Sequence, residues 1–415
     1  MTKRRIVVVN DDSIARGGTA VLAVMSAKAL ADRGHEVIWL CGDAGANPDL
    51  AAHGIEVVAL GSRPLLDLPA RRALVEGVHN RAAARLVTEF LARRDTPETV
   101  YHVHSWAQIF SPAILPALRP VAARTLLHAH DMFLACPNGV YMDYQENRAC
   151  ARVPNSFDCI KTHCDKRSYA QKLWRVARET RVHRALGTLE GWGGILVIHP
   201  GMKPKLARAG YRETRLFTVR NPAVPFTTDR VRAEDNRALL YVGRLEADKG
   251  VSEVAAAADR AGVPLIVVGD GPMRHELQSR YPNVELAGWV EKSGLGAYAA
   301  RARALVLSSR HPEPFGLVLA EAAASGLPVL ASNTAEMAQE VESGGFGYAF
   351  DVFSPADFDA AIARVIDMPA ERVREMSERG FAAANALGNT PESWIDALEA
   401  QYTRVLTEAQ GRTGA

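Results

Sequence analysis

Short apolar runs alternate with helically spaced segments twice along this chain, and a proline-bearing polar stretch separates the two series. The first series opens on residues 6–9 (IVVV), a β-branched run suited to a buried parallel strand. A polar loop, NDDSIARGGT, follows. Residues 20–33 then carry Val21, Val24, Met25, Ala29 and Leu30 at helical spacing, and Gly34 ends the helix. A strand at 37–41 completes a βαβ unit. Strand 55–60, one long helix over 71–93, and strands 100–104 and 124–128 continue the series. The alternation stops between 131 and 168, then helix 169–186, strand 194–198, a helix end at 205–210 and strand 216–220 follow. NPAVPF at 221–226, with TTDRVRAEDN after it, reads as the linker. The second series has strands at 238–242, 264–268, 284–287, 304–307 and 328–331. Its helices fall at 251–261, 273–280, 315–325 and 356–366, and helix 392–409 closes the chain.

Two such series imply an α/β protein built from two doubly wound, Rossmann-like sheets that face an interdomain cleft, with ligands at the carboxyl ends of strands. The expected division is 1–222, carrying the insertion at about 131–168, then 223–386, then a helix in 387–415 that packs back on the first domain. Forty-nine Lys and Arg against 47 Asp and Glu leave a net charge of +2, which gives no general affinity for polyanions and excludes nucleic acid as a partner. The apolar stretch 315–331 is broken by Glu321, Gly326 and Pro328 and cannot span a bilayer. The run at 6–9 falls short of the ~7–15 residues that a signal-peptide core needs, so a cytoplasmic location is expected.

No G-x-G-x-x-G follows the first strand, and Gly269-Asp270-Gly271 reads as a tight turn. P-loop and H-E-x-x-H motifs are absent. Four other features bear chemistry. In Glu313-Pro-Phe-Gly-Leu-Val-Leu-Ala-Glu321, Pro314 suits the first turn of a helix, and Phe315, Gly316 and Leu317 would offer amides to an anion. Glu321 sits on a helix so apolar that its carboxylate needs a partner, either ligand hydroxyls or a buried cation. Glu313 and Glu321 lie eight residues apart, about 12 Å along a helix, which suits two ends of one ligand. In Tyr241-Val-Gly-Arg-Leu-Glu-Ala-Asp-Lys-Gly250, Arg244 follows a strand directly and Lys249 opens the next helix; together they would grip a diphosphate. Gly17 and Gly18 let the backbone of the first loop approach a ligand closely. His102, His104, His128, His130 and Asp131 end two strands, and His130 could donate to a sugar hydroxyl or hold a reactive tautomer.

Together these motifs (with GGxA, HxH, HxHD, VGRLxxxKG, VGDGP and EPFGLVLAEAAASGLPVLAS) resemble retaining glycosyltransferases of the GT-B fold, most of all glycosyltransferase family 4. The resemblance covers essentially the whole chain. It implies that Arg244 and Lys249 bind the diphosphate of a nucleotide-sugar donor and stabilise it as a leaving group. Glu321 would hold the ribose hydroxyls, and Glu313 the donor sugar, with the amides of Phe315, Gly316 and Leu317 nearby. Gly17 and Gly18 would face the donor, His130 the anomeric carbon, and the backbone at Val290 the nucleobase. It also implies transfer to an acceptor hydroxyl of a carbohydrate or lipid-linked molecule, in glycan, glycolipid or glycoconjugate synthesis, with no cofactor or divalent metal required. Domain closure would assemble the site. The same fold also serves nucleotide-sugar 2-epimerases, and a catalytically silent nucleotide-sugar-binding protein would share the motifs. Where such enzymes usually carry Gly-Gly before a Pro-Glu pair, this chain reads Asn333-Thr-Ala-Glu-Met.

Cys136, Cys150, Cys159 and Cys164 crowd one polar stretch, with His163 as a substitute ligand. A structural zinc site, free thiols and disulfides all stay open for them. From Lys161 to Arg184 eight cations face only Asp165 and Glu179. Either this is a solvated helix face, or it touches an anionic membrane or phosphorylated lipid from the cytoplasmic side, at the inner face of the membrane.

Overall fold

The computed structural model describes residues 3–15, 17–383 and 386–413. The chain divides into two compact units. The first comprises 1–146, 151–219 and 394–415; the second comprises 147–150 and 220–393.

In the first unit, β1 (Arg5–Asn10), β2 (Glu36–Cys41), β3 (Glu56–Ala59), β4 (Thr99–Val103) and β5 (Thr125–Ala129) are joined by α1 (Gly18–Asp32), α2 (Pro48–Ala52), α3 (Ala70–Glu76), α4 (Arg81–Arg94) and α5 (Ile114–Ala117). The 131–168 stretch is not featureless: it holds β6 (Met142–Asp143) and helix α6 (Phe157–Lys161), and the two-residue strand β7 (Arg148–Ala149) in the 147–150 segment assigned to the second unit. Next come α7 (Tyr169–Leu186), β8 (Gly194–Val197), α8 (Met202–Arg208) and β9 (Leu216–Thr218). Seven strands pair in parallel in the order β3-β2-β1-β4-β5-β8-β9, with Val7 of β1 opposite Ile38 on one side and Tyr101 on the other. β1 is buried along Ile6–Val9 because helices cover both faces of such a sheet.

The second unit runs β10 (Ala238–Val242), α9 (Val251–Ala261), β11 (Leu265–Val268), α10 (Arg274–Arg280), β12 (Glu285–Gly288), α11 (Leu295–Ala299), β13 (Ala302–Leu307), α12 (Leu317–Ala324), β14 (Val329–Ser332), α13 (Ala338–Ser343), β15 (Gly347–Phe350), α14 (Pro355–Ile366) and α15 (Ala370–Ala382). Its six strands are parallel in the order β12-β11-β10-β13-β14-β15. One core cluster joins Leu239, Val254, Val267, Val306, Leu330 and Phe358 across the sheet and its helices. The last helix, α16, spans Pro391–Thr413, and its Tyr402 reaches His102 of β4 in the first unit.

Several elements depart from the sequence expectation, including the short helices α2, α5, α11 and α13, which were not anticipated. The helix expected over 71–93 is two helices: α3 ends at Gly77, and Asn80 restarts the chain as N-cap of α4, its side chain accepting from the Ala83 amide. Lys249 does not open a helix. It closes a 3-10 turn, Ala247–Lys249, and α9 begins after Gly250, whose φ of +70° and approach to the Ser308 carbonyl leave no room for a side chain. Pro314 lies outside α12, which starts only at Leu317 because Gly316 (φ +68°) is its left-handed N-cap. Finally, β15 and α15 were not anticipated; GYAF is too short a run to separate from its surroundings by pattern alone.

Candidate functional site

In the second unit, the loops at the carboxyl ends of β10 and β13 bring two of the expected residues, Lys249 and Glu313, together with Ser309 and His311. Lys249 Nζ donates to Glu313 Oε2 at 2.6 Å, Ser309 Oγ donates to the same oxygen at 2.9 Å, and His311 Nε2 lies 3.6 Å away. Burial pushes the Glu313 carboxyl up, but the Lys249 charge, His311 and these bonds outweigh it and bring its pKa down to about 2. Glu313 is therefore a carboxylate at any ordinary pH. Burial, with the nearby Lys249 charge second, lowers the His311 pKa. The segment 333–336 supports this corner without the expected glycines: Thr334 Oγ1 donates to the Ser309 carbonyl at 2.6 Å and the Glu336 amide to the Glu313 carbonyl at 3.0 Å.

Helix α12 starts four residues beyond Glu313. Phe315 is buried, Gly316 is the N-cap and Leu317 the first helical residue, so this end of α12 presents amides that have no intrahelical acceptor. One turn further on, buried Glu321 pairs with Lys292 Nζ. Burial raises the Glu321 pKa, and the ammonium opposes that shift. Arg244 is not part of the Glu313 cluster: it is 67% exposed and binds Glu246 Oε1 at 2.6 Å. Val290 is half-buried just past β12, beside the exposed ring of Trp289.

The first unit places Gly17 and Gly18 at the start of α1; Arg16 of the same motif lies outside the described residues. The histidines form a stack across β4 and β5. His102 Nε2 meets His128 Nδ1 at 3.1 Å, His104 Nδ1 meets His130 Nε2 at 2.9 Å, and Tyr402 hydroxyl meets His102 Nδ1 at 2.8 Å. Burial lowers the pKa of all four, those of His102 and His130 to about 3, so the stack is neutral near pH 7. His130 Nδ1, His104 Nε2 and His128 Nε2 are buried without a partner. Beside them burial raises Asp131 to about 6, against the Phe133 amide that it accepts. Asp11 is likewise raised to about 6 by burial while it accepts from the amides of Gln108, Ile109 and Phe110.

Of the three states left open for the cysteines, the disulfide is not formed among the described residues, and the group with three ligand atoms within 4.8 Å of one another there is His102, His104 and His128. Buried Lys172 Nζ stands 3.3 Å from Cys159 Sγ and 3.2 Å from Cys164 Sγ, so an ammonium occupies the space between two of the four thiols. The basic segment also differs from a uniformly solvated face: Lys172 and Arg178 turn inward from α7. Sequence reasoning missed both of these, as well as Lys292 and Asp11. Asp11 alone carried a signal, a carboxylate directly after the first strand.

Residues 227–382 match the family described as glycosyl transferases group 1. A glycogen synthase of Mycobacterium tuberculosis is 39% identical over 147 residues, 33% of this chain and 35% of that one. A D-inositol 3-phosphate glycosyltransferase of Mycobacterium bovis is 30% identical over 230 residues, 52% of this chain and 44% of that one. The chain thus spans about a third to under half the length of these relatives. Among solved structures, a sucrose-phosphate synthase from Thermosynechococcus elongatus superposes with a TM-score of 0.72 at 19% identity, over 98% of this chain and all of that one. The Anabaena protein HepE in complex with UDP gives a TM-score of 0.66 at 16% identity, over 96% of this chain and 100% of that one. The fold, two parallel-sheet Rossmann-like units, is that of GT-B glycosyltransferase structures.

Proposed function

We propose that this chain is a retaining glycosyltransferase of the family 4 type, which moves a sugar from a nucleotide-diphosphate-sugar to an acceptor hydroxyl in glycan, glycolipid or glycoconjugate synthesis. The observation that carries the reading is the Lys249–Glu313 pair beside the start of α12, inside the stretch that matches group 1 glycosyl transferases. Breaking an anomeric bond puts negative charge on the departing diphosphate. Lys249 and Arg244 neutralise that charge, and the first amides of α12 add fixed dipoles, so no divalent metal is needed. Arg244 must leave Glu246 to do so, which its exposure permits. Glu313, ionised and anchored, accepts hydrogen bonds from sugar hydroxyls. Glu321 accepts from the ribose once Lys292 moves aside, and Val290 lines the base. In the first unit, Gly17, Gly18 and His130 serve the donor; neutral His130 donates from Nδ1 to a sugar hydroxyl.

No carboxylate is assigned as a covalent nucleophile. The departing phosphate oxygen takes the acceptor proton as the new glycosidic bond forms on the same face. The acceptor is a carbohydrate or lipid-linked molecule, reached from the cytoplasm, with the exposed cations of 161–184 touching an anionic membrane. No helix among the described residues is long and apolar enough to cross one.

The test is sugar transfer and nucleotide release by the full chain with a panel of nucleotide sugars and acceptors. Release that depends on acceptor and exceeds a Glu313→Ala control supports transfer. Turnover without acceptor would instead point to a 2-epimerase, and no turnover above the control to a silent binding protein.

A further inference from the structure

A cavity of ≈ 620 Å³ opens in the first unit between α3 and α7. That size is in the range of small-molecule sites. Arg178 lines it and is itself 5% exposed. Its guanidinium makes one hydrogen bond, from Nη1 to the Ala107 carbonyl at 3.1 Å, and lies over the rings of Trp106, Phe133 and Trp174 at 5.3–5.5 Å. Among the described residues it has no carboxylate at ion-pair distance; Glu179, Asp11 and Asp131 act on it only from further off. A buried cation without a counter-ion is costly, and its remaining donors call for an oxyanion.

The rest of the lining fits the same ligand. Arg71 and Arg167 are exposed cations on the cavity wall, Arg175 is already held by Asp165 at 2.8 Å, and no acidic side chain lines the space. The other wall is apolar: Leu66 is 72% and Leu74 57% exposed, an unusual surface unless something covers it. Trp174 is fixed there by its Nε1 donating to the Leu74 carbonyl at 2.8 Å. Phe133, on the inner wall, donates its amide to Asp131 at 2.8 Å, so the cavity adjoins the loop that carries His130 and Asp131.

We infer that this cavity binds the acceptor, and that the acceptor is a small amphiphile whose phosphate or carboxylate group meets Arg178 while its apolar part lies on Leu66, Leu74 and Trp174. Identifying the ligand as acceptor rests on the proposed function; the binding chemistry does not.

The experiment is calorimetric titration of the full chain with octyl phosphate, octyl glucoside and inorganic phosphate, each below its micellar concentration where it has one. Octyl phosphate is expected to bind at least tenfold more tightly than either other probe. Arg178→Met should lose that advantage while leaving octyl glucoside binding unchanged. Arg71→Ala, at an exposed position that carries no risk to folding, should weaken octyl phosphate severalfold. Equal binding of octyl phosphate and octyl glucoside by the wild type would overturn the anion site, and inorganic phosphate equal to octyl phosphate would overturn the amphiphile. Unchanged octyl phosphate binding in Arg71→Ala together with Arg178→Met would overturn the assignment to this cavity. Nucleotide-sugar binding, measured in the same preparation, separates the two claims: its loss counts against the proposed function, and its persistence without octyl phosphate binding counts against this inference alone.

Discussion

The two units handle buried charge in opposite ways. In the second, each buried carboxylate of the candidate site has a lysine: Glu313 has Lys249 and Glu321 has Lys292. Around the histidine stack and Arg178 of the first, by contrast, buried groups have no close partner of opposite charge: three histidine nitrogens have no partner, Arg178 has one carbonyl, and Asp11 and Asp131 are pushed up to about 6 by burial. In a paired site an incoming ligand must share or displace a partner that is already there. An unpaired one waits for a group that completes it, and departures of this kind concentrate at functional positions.

If the paired cluster stabilises a leaving diphosphate, Lys249→Ala should produce the largest effect, a drop in turnover of ~10²-fold or more. Initial rates with saturating donor measure it, and a near-normal rate would break the contrast between the units. Arg244→Ala should cost less, roughly tenfold, because an exposed arginine already shared with Glu246 delivers less of its charge. A larger loss than for Lys249→Ala would reverse the ranking.

The first unit should reveal itself through pH. The histidines of the stack have native pKa values below their unfolded value of 6.5, those of His102 and His130 at about 3. The unfolded chain therefore binds more protons below pH 6.5, and stability falls as pH drops from 6.5 toward 3, by about 1.4 kcal/mol per pH unit for each histidine. Asp11 and Asp131, raised to about 6, act in the opposite sense below that pH and offset part of the loss. Urea unfolding between pH 7 and 5 should show a slope that His130→Gln reduces by about one proton; identical slopes in the two proteins would mean that His130 is not held neutral. Glu313, depressed to about 2 from 4.5, contributes stability that is present above pH 4.5 and lost as pH falls toward 2, a separate and more acid window. The smallest effect concerns the helix break at 77–80. Asn80→Ala should cost about 1 kcal/mol by urea unfolding, through loss of the cap on α4 and of the bond to the Ile109 carbonyl.

The same contrast explains what could be read from the sequence. Lys249, Glu313, Gly316 and Glu321 stand in local motifs at strand and helix ends, where a few neighbours determine the geometry, and the structure gathers Lys249 with Glu313. The two series of strands were legible because a buried parallel strand is a short continuous apolar run. Lys292 was not legible, since its partner lies 29 residues away and packing alone brings them together. Lys172 and Arg178 were hidden by their surroundings. In a segment of eight cations nothing local separates a lysine held by two thiols, or an arginine enclosed by three rings, from its solvated neighbours. The break at 77–80 was signalled by Gly77 and Asn80 but masked by the helical spacing that runs on through 93.

The most direct test of the account is calorimetric binding of nucleotide sugars to the wild type, Lys249→Ala and Glu321→Ala. The account predicts that at least one nucleotide-diphosphate-sugar binds the wild type and that both substitutions weaken it tenfold or more. Binding that is absent throughout the panel, or equally tight in all three proteins, would contradict it.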